Sequence, residues 1–292
     1  MEVFVLGGTG SIGTAIAREL HLRGHQATGL SRSLAADKKL LSCGVKPVRG
    51  RLENPKQWLH HAAVSDAVIQ VAATFGDDMS NVDWVAMSAL IEAARTRSKK
   101  LRMIYTGGCW LYGQTGNLIA TENRPFKPLK PFAWMVAHSR ELLRAPSMST
   151  AVVHPAMVYH SDGGGVFERF STAARAGHEI EVWGSINTRW PLIERSDLAR
   201  AYCDLVERPE LIGHFNAAAE TGIPVGKIVS AIAQAHGCSA NLTVRNVEEV
   251  VAEHGAWAEG PTLDQQMSNQ KLRCTTGWKP LITDFEQSGF LD

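Results

Sequence analysis

The chain has 292 residues, 45% hydrophobic and 20% charged, with a formal net charge of +1. That length and apolar content support one large domain, or one domain with a smaller lobe, and exclude disorder. The near-zero charge excludes a field that would gather nucleic acid or anionic lipid, and no apolar run approaches the roughly 18 residues of a membrane span.

Along the chain, short apolar runs at 3–6, 26–30, 45–48, 67–71, 101–105 and 151–154 read as strands separated by helical patterns. After Gly10, the residues Ile12, Ile16 and Leu20 recur four apart and lay one apolar stripe against a sheet. This alternation predicts an α/β fold, a doubly wound parallel Rossmann sheet with ligands at the carboxyl ends of its strands. Past residue 160 the rhythm changes to a Gly163-Gly164-Gly165 turn, a helical stretch, a strand at Ile180–Trp183 and a polar segment to Ser196. A helix over 198–207 and a strand over 214–218 follow. Residues 1–158 are thus expected to form an NADP-binding domain to which the chain returns at about 190–218, with 159–292 mainly a substrate-binding lobe. The first strand begins at residue 3 and leaves no room for a signal peptide, so the cytoplasm is the expected location. Five scattered cysteines without a C-x-x-C spacing imply neither a disulfide framework nor a zinc site.

The strand-to-helix stretch Val3-Phe4-Val5-Leu6-Gly7-Gly8-Thr9-Gly10-Ser11-Ile12-Gly13 sets three glycines at G-x-x-G-x-x-G spacing. Gly7 suits the tight turn, Gly10 a close backbone approach to a diphosphate and Gly13 close packing, while the helix start offers N–H groups to the anion. Thr9, Ser11 and Ile12 complete the expected cradle. At the end of the second strand no acidic residue waits for the ribose hydroxyls of NAD; Ser31-Arg32-Ser33 offers a guanidinium between hydroxyls, which suits the 2′-phosphate of NADP.

With these features the chain resembles the extended short-chain dehydrogenase/reductase family, which contains NAD(P)-dependent epimerases and dehydratases. The likeness extends through Asp66-Ala67-Val68-Ile69-Gln70-Val71-Ala72-Ala73, Tyr112-Gly113, His154-Pro155-Ala156-Met157-Val158-Tyr159, Ile193-Glu194-Arg195-Ser196-Asp197-Leu198-Ala199 and Gly277-Trp278-Lys279-Pro280. The resemblance implies that Leu52, Ala72 and Ala73 line the adenine and ribose path and that Pro155 and Ala156 lie beside the nicotinamide. It also implies that a homodimer is possible. Where the family carries an aspartate beside the adenine, this chain reads Gly50-Arg51-Leu52.

The family's tyrosine, with a lysine four residues later, has no counterpart. The tyrosines are Tyr105, Tyr112, Tyr159 and Tyr202, followed four residues on by Cys109, Gly116, Gly163 and Val206. At the expected location stand Phe132 and Val136, or Val136 and Arg140 in a shifted register, and Gly108 occupies the place of the catalytic serine or threonine. A phenylalanine exchanges no proton.

Hydride transfer to a carbonyl or imine still requires a proton donor. The candidates are Tyr112, His138, four residues after Trp134 on one helix face, and Thr106, the nearest hydroxyl, which also borders the cofactor path. Trp110, Trp134, Trp183 and Trp190 fall in segments that border the substrate in the family, and two of them in one cleft would favour an apolar or aromatic ligand. Tyr159 is a further substrate candidate, and Arg189 sits where the resembled epimerases hold a sugar-nucleotide phosphate. His60 and His61, neighbours on a helix, point different ways and make no metal pair; His160-Ser161-Asp162 has triad residue types without triad spacing. The expected function is an NADP(H)-dependent reductase of a small carbonyl, imine or alcohol with a nonstandard proton donor. The alternatives are a sugar or sugar-nucleotide epimerase or dehydratase and a non-catalytic NADP(H)-binding sensor.

Overall fold

The computed structural model describes residues 1–74, 76–162, 165–238 and 241–291, so Gly163 and Gly164 of the glycine-rich turn lie outside the described residues. The first half alternates strands with helices: β1 (Glu2–Leu6), α1 (Ser11–Leu22), β2 (Gln26–Ser31), α2 (Leu34–Leu41), β3 (Val45–Arg49), α3 (Leu59–Val64), β4 (Ala67–Gln70), α4 (Met79–Ala94), β5 (Leu101–Thr106), α5 (Ala133–Arg144) and β6 (Met148–Pro155). The second half adds β7 (Met157–Tyr159), α6 (Gly165–Arg175), β8 (Ile180–Trp183), β9 (Arg189–Glu194), α7 (Arg195–Val206), β10 (Gly213–Ala217), β11 (Glu220–Pro224), α8 (Val225–Ala235), β12 (Leu242–Arg245), α9 (Val247–His254) and α10 (Gln270–Thr276).

Seven strands form one parallel sheet in the order β10-β6-β5-β4-β1-β2-β3. The central strands β1, β4, β5 and β6 are apolar runs buried on both faces, as parallel strands require, while β2 and β3 toward one edge alternate buried and open positions. The strand order reverses between β1 and β4, and a ligand crevice opens at such a switch point. On α1 the predicted stripe is present, with Ile16 and Leu20 buried and Ile12 partly so, and Gly13, Thr14 and Ala17 widen the face that packs on the sheet and on α7.

Two features tie the second half to this sheet. β10 pairs with β6, and the buried Arg102 of β5 donates to the carbonyls of Leu205, Ser149 and Leu211. Burial pushes that guanidinium down to about 10. The remaining strands form a three-stranded sheet, β11-β9-β7, and a two-stranded one, β12-β8. The segment read as polar before Ser196 thus contains β9, four of whose six residues are buried, because its apolar core Trp190-Pro191-Leu192-Ile193 is shorter than its polar surroundings. Among the described residues no helix is long and apolar enough to cross a membrane.

Candidate active site

The carboxyl ends of the central strands open into a cleft of about 820 Å³. The turn between β1 and α1 brings Gly7, Thr9, Gly10, Ser11, Ile12 and Gly13 to its wall. Gly7 has φ +90°, and a Cβ there would lie 2.5 Å from the backbone nitrogen of Ala72. A Cβ on Gly13 would lie 2.1 Å from the Gly7 carbonyl oxygen. The turn therefore folds onto the first turn of its own helix with room only for hydrogen. α1 has no side-chain cap and no acidic residue in its first turn, which leaves its leading N–H groups without an internal anion. A diphosphate fits such a helix start.

Arg32, exposed after β2, and Arg51, after β3, line the same cleft. Arg51 pairs with Glu53, whose own backbone N–H and the Arg51 guanidinium hold its carboxyl below the usual range. The two serines beside Arg32 do not reach this wall. The buried Ser31 hydroxyl donates to the Ser33 carbonyl at 3.1 Å, and Ser33 Oγ accepts the Ala36 N–H at 3.1 Å as the cap of α2. Ser31, buried with its proton on the Ser33 carbonyl, shapes the turn in place of the expected ligand contact, while the exposed Ser33 starts the helix and keeps its own hydroxyl proton. Leu52, Ala72, Ala73, Pro155 and Ala156 all line the cleft.

The three proton-donor candidates are placed differently. Tyr112 is 1% exposed and its hydroxyl donates to Asn216 Oδ1 at 2.7 Å, inside the core and off the cleft wall. Burial pushes its phenol further up, so the expected catalytic role is replaced by a structural one. Thr106 lines the cleft, but its hydroxyl donates to the Gln70 carbonyl at 2.6 Å and stands 2.7 Å from the Tyr202 hydroxyl. With one proton already engaged, Thr106 has none to offer a substrate. His138 is buried on α5 between Trp84 and Trp134, with ring centroids 5.0 and 4.9 Å away. Its Nδ1 is 2.8 Å from Asp83 Oδ2.

Asp83, which the sequence did not single out, is the centre of this region. Its carboxylate also accepts the Tyr105 hydroxyl at 2.9 Å and Gln70 Nε2 at 2.8 Å, and Asp83, Tyr105 and Gln70 all reach the cleft wall. Burial first, then the Asp83 charge, pushes the Tyr105 phenol up, opposite to a phenol poised to ionise. The one available signal was a lone carboxylate on the apolar face of α4, among Val82, Ala86, Met87 and Leu90.

Trp110 and Trp134 both line the cleft, joined by Phe132 and Met135, and the Trp110 and Phe132 rings are 5.5 Å apart. Trp183 and Trp190 belong elsewhere: Trp183 packs with Val250 and Ala258, and Trp190 is buried with its Nε1 on the Pro261 carbonyl at 2.8 Å. Gly108 has φ 179° and a Cβ there would meet nothing within 4 Å, so no steric demand explains its missing hydroxyl. Gly107 differs, since a Cβ would lie 2.5 Å from the buried His154 Nδ1.

Two substrate candidates fall away from the cleft. Tyr159 is buried against Phe167, Phe285 and Phe290, and Arg189 is bound by Asp264 through Nε at 2.9 Å and Nη2 at 2.6 Å, with Nη2 also on the Gly116 carbonyl. Arg189 thereby joins three chain segments, with its Nε and Nη2 engaged and its place away from the cleft wall. The His60 and His61 rings lie 3.9 Å apart in contact, not diverging as their spacing predicted. Among the described residues no group of three or more side chains is arranged to hold a metal.

Residues 3–218 match the model of the NAD dependent epimerase/dehydratase family. The chain belongs to that family. Over full length it is 26% identical to an uncharacterized protein of Schizosaccharomyces pombe, covering 99% of this chain and 100% of that one. A shorter stretch is 32% identical to a 2-alkyl-3-oxoalkanoate reductase of Stenotrophomonas maltophilia, over 36% of this chain and 33% of the reductase. Among solved structures, the UDP-glucose 4-epimerase of Thermus thermophilus in complex with NAD superimposes with TM-score 0.83 at 19% identity, covering 100% of this chain and 97% of that one. The human epimerase family protein SDR39U1 with NADPH gives 0.80 at 21% identity, covering 99% and 98%. At these identities the structural likeness carries the epimerase/dehydratase fold alone.

Proposed function

We propose that this family member is an NADP(H)-dependent reductase of a carbonyl compound with an apolar or aromatic body, and that His138, oriented by Asp83, supplies the proton. The cofactor reading rests on the uncapped start of α1 beside a glycine turn that admits no Cβ, together with Arg32 and Arg51 on the same wall. Ser11 and Ile12 N–H groups would hold the diphosphate, the two guanidiniums the 2′-phosphate, and Pro155 and Ala156 the nicotinamide end. When bound, the cofactor supplies the hydride.

The substrate reading rests on Trp110, Phe132, Trp134 and Met135, a wall of flat and flexible apolar surface without a charged group among them. A sugar nucleotide finds little there to bond its hydroxyls, and Arg189, the residue that favoured such a ligand, is engaged by Asp264. As hydride reaches a carbonyl carbon, negative charge grows on its oxygen and must be met by a proton. The single observation that carries the assignment is the His138–Asp83 bond at 2.8 Å behind that wall. With Nδ1–H held by Asp83, Nε2 is the nitrogen that would pass the proton on, from a ring that stands behind Trp134 and Asp83, which themselves reach the cleft wall. The Stenotrophomonas reductase supports the same reaction type over its short match.

NADPH oxidation followed at 340 nm across aromatic ketones, aliphatic ketones and imines tests the reading. The native protein is expected to turn over the aromatic ketones, and His138→Gln and Asp83→Asn to lower kcat about a hundredfold with NADPH affinity unchanged. Equal kcat in native protein and both variants would remove His138 as the donor. Silence across the whole panel, with NADPH bound, would leave the sensor reading in place of the enzyme.

A further inference from the structure

We propose that His160 and Arg195, from the second half of the chain, complete with Ser11 a clasp for the bridging diphosphate of the dinucleotide. The clasp rests on the cofactor reading above and adds to it a set of residues and a pH response.

Ser11 is the first residue of α1 and lines the cleft. Its Oγ stands 2.9 Å from His160 Nε2 and accepts from Arg195 Nη1 at 3.2 Å. A helix start alone is a common feature; here two further groups converge on it and neither is placed by the needs of the core. His160 is 8% exposed, yet its Nδ1 has no hydrogen-bond partner, and the nearest acid, Asp162, stands 3.9 Å away. A buried polar atom left open costs free energy unless a ligand or its proton repays it. Arg195 is half-committed: Nη2 pairs with Asp162, whose side chain is largely exposed, while Nη1 is held at the serine oxygen. An exposed carboxylate is readily displaced from a guanidinium by an anion with more negative charge.

Ser11, His160 and Asp162 together have the residue types of a nucleophilic triad, with Ser11 in place of the adjacent Ser161. The charges speak against that chemistry. A guanidinium donating to the serine oxygen opposes its attack on a carbonyl, and the Asp162 carboxylate is bonded to Arg195 in preference to the imidazole. The same array is well suited to an anion: a hydroxyl, an imidazole and a guanidinium at the positive end of a helix with no acidic residue in its first turn.

The groups facing His160 are Arg195 of α7, Asp162 of its own segment, Glu194 of β9 and Glu168 of α6. Burial first and the Arg195 charge second hold the imidazole below its ordinary range. It is therefore neutral near pH 7, and a diphosphate seated against it favours the protonated form. Anion affinity then rises as pH falls.

Titration of the full-length protein with ADP-ribose, which carries the diphosphate without nicotinamide or 2′-phosphate, isolates the clasp. Adenosine 2′-monophosphate, which lacks the diphosphate, serves as the control for Arg32. Arg195→Gln is expected to weaken ADP-ribose about tenfold or more and leave adenosine 2′-monophosphate unchanged. Native affinity for ADP-ribose should climb several-fold from pH 8 to pH 5.5, and His160→Gln should flatten that climb. Ser11→Ala, which removes only a hydroxyl, gives a second reading if Arg195→Gln does not fold, with a loss of about threefold or more. ADP-ribose bound alike by the native protein and the variants, with no pH trend, overturns the clasp alone. Failure of native protein to bind NADP⁺ and adenosine 2′-monophosphate strikes the cofactor reading instead.

Discussion

On the proposed reading the 2′-phosphate meets Arg51 and Arg32, the latter an exposed guanidinium that, among the described residues, has no bonded partner. Glu53, paired with Arg51 close by, is the one negative charge on the same part of the wall and works against a 2′-phosphate. Arg32→Asp should weaken NADPH about a hundredfold and NADH less than threefold, and Glu53→Gln should tighten NADPH several-fold, both read by cofactor fluorescence titration. Equal affinity of the native protein for the two cofactors would end the assignment. The glycine turn and the place of Arg32 on the cleft wall were legible in the sequence because both follow from consecutive backbone positions at the ends of β1 and β2. Tyr112 and Arg189 were not, because Asn216 and Asp264, 104 and 75 residues away, decide where a phenol and a guanidinium point. Ser31 misled for the opposite reason: a hydroxyl beside a turn bonds first to the backbone nearest it.

At the scale of elements, the six strands and the helices of the first half follow from periodicity: continuous apolar runs in the central β1, β4, β5 and β6, buried on both faces, and buried–open alternation in β2 and β3. β7, β11 and β12 have three to five residues each and little alternation, so their pairing is set by partners and not by their own pattern. The start of α7 shows how a single side chain holds such an arrangement. Asp197 is fully buried and its carboxylate accepts the N–H groups of Leu281 at 2.9 and 3.0 Å and Ile282 at 2.9 Å, while pairing with Arg200. Its carbonyl also takes the Trp278 indole N–H at 3.0 Å. Asp197→Asn turns an acceptor toward two donors into a donor and leaves Arg200 without its charge partner. A loss of about 3 kcal/mol is expected, with early proteolytic release of the segment around 281–291 while cofactor binding persists. Release no faster than in the native protein, under the same protease, would show that Trp278 and not Asp197 carries the tail.

For the whole molecule, a buried imidazole and a half-buried carboxyl pull stability in opposite directions with pH. His154 is fully buried beneath Gly107 and Gly108, its Nε2 is 2.9 Å from His214 Nδ1, and burial with the His214 charge pushes it down to about 3. Its folded value lies below the ordinary 6.5, so its contribution is present above pH 6.5 and is lost as pH falls, by up to about 1.4 kcal/mol per unit. Glu220 on β11 has the reverse sign. Burial and the Asp284 charge raise it from 4.5 to about 7, and its Oε1 has no hydrogen-bond partner, so stability is present in full below 4.5 and declines as pH rises through about 7. Glu220→Gln keeps the shape of the protonated acid and removes the charge. It should raise the urea midpoint at pH 8, and the gain should vanish by about pH 4.5, where the native acid already carries its proton. His154→Gln should lower the midpoint at pH 8, because a smaller side chain fills the site, yet flatten the fall between pH 6.5 and pH 5. A Glu220→Gln midpoint equal to that of the native protein at pH 8 would mean that Lys227, paired with Glu286 nearby, already neutralises the site, and that the acid limb alone governs the stability of this fold.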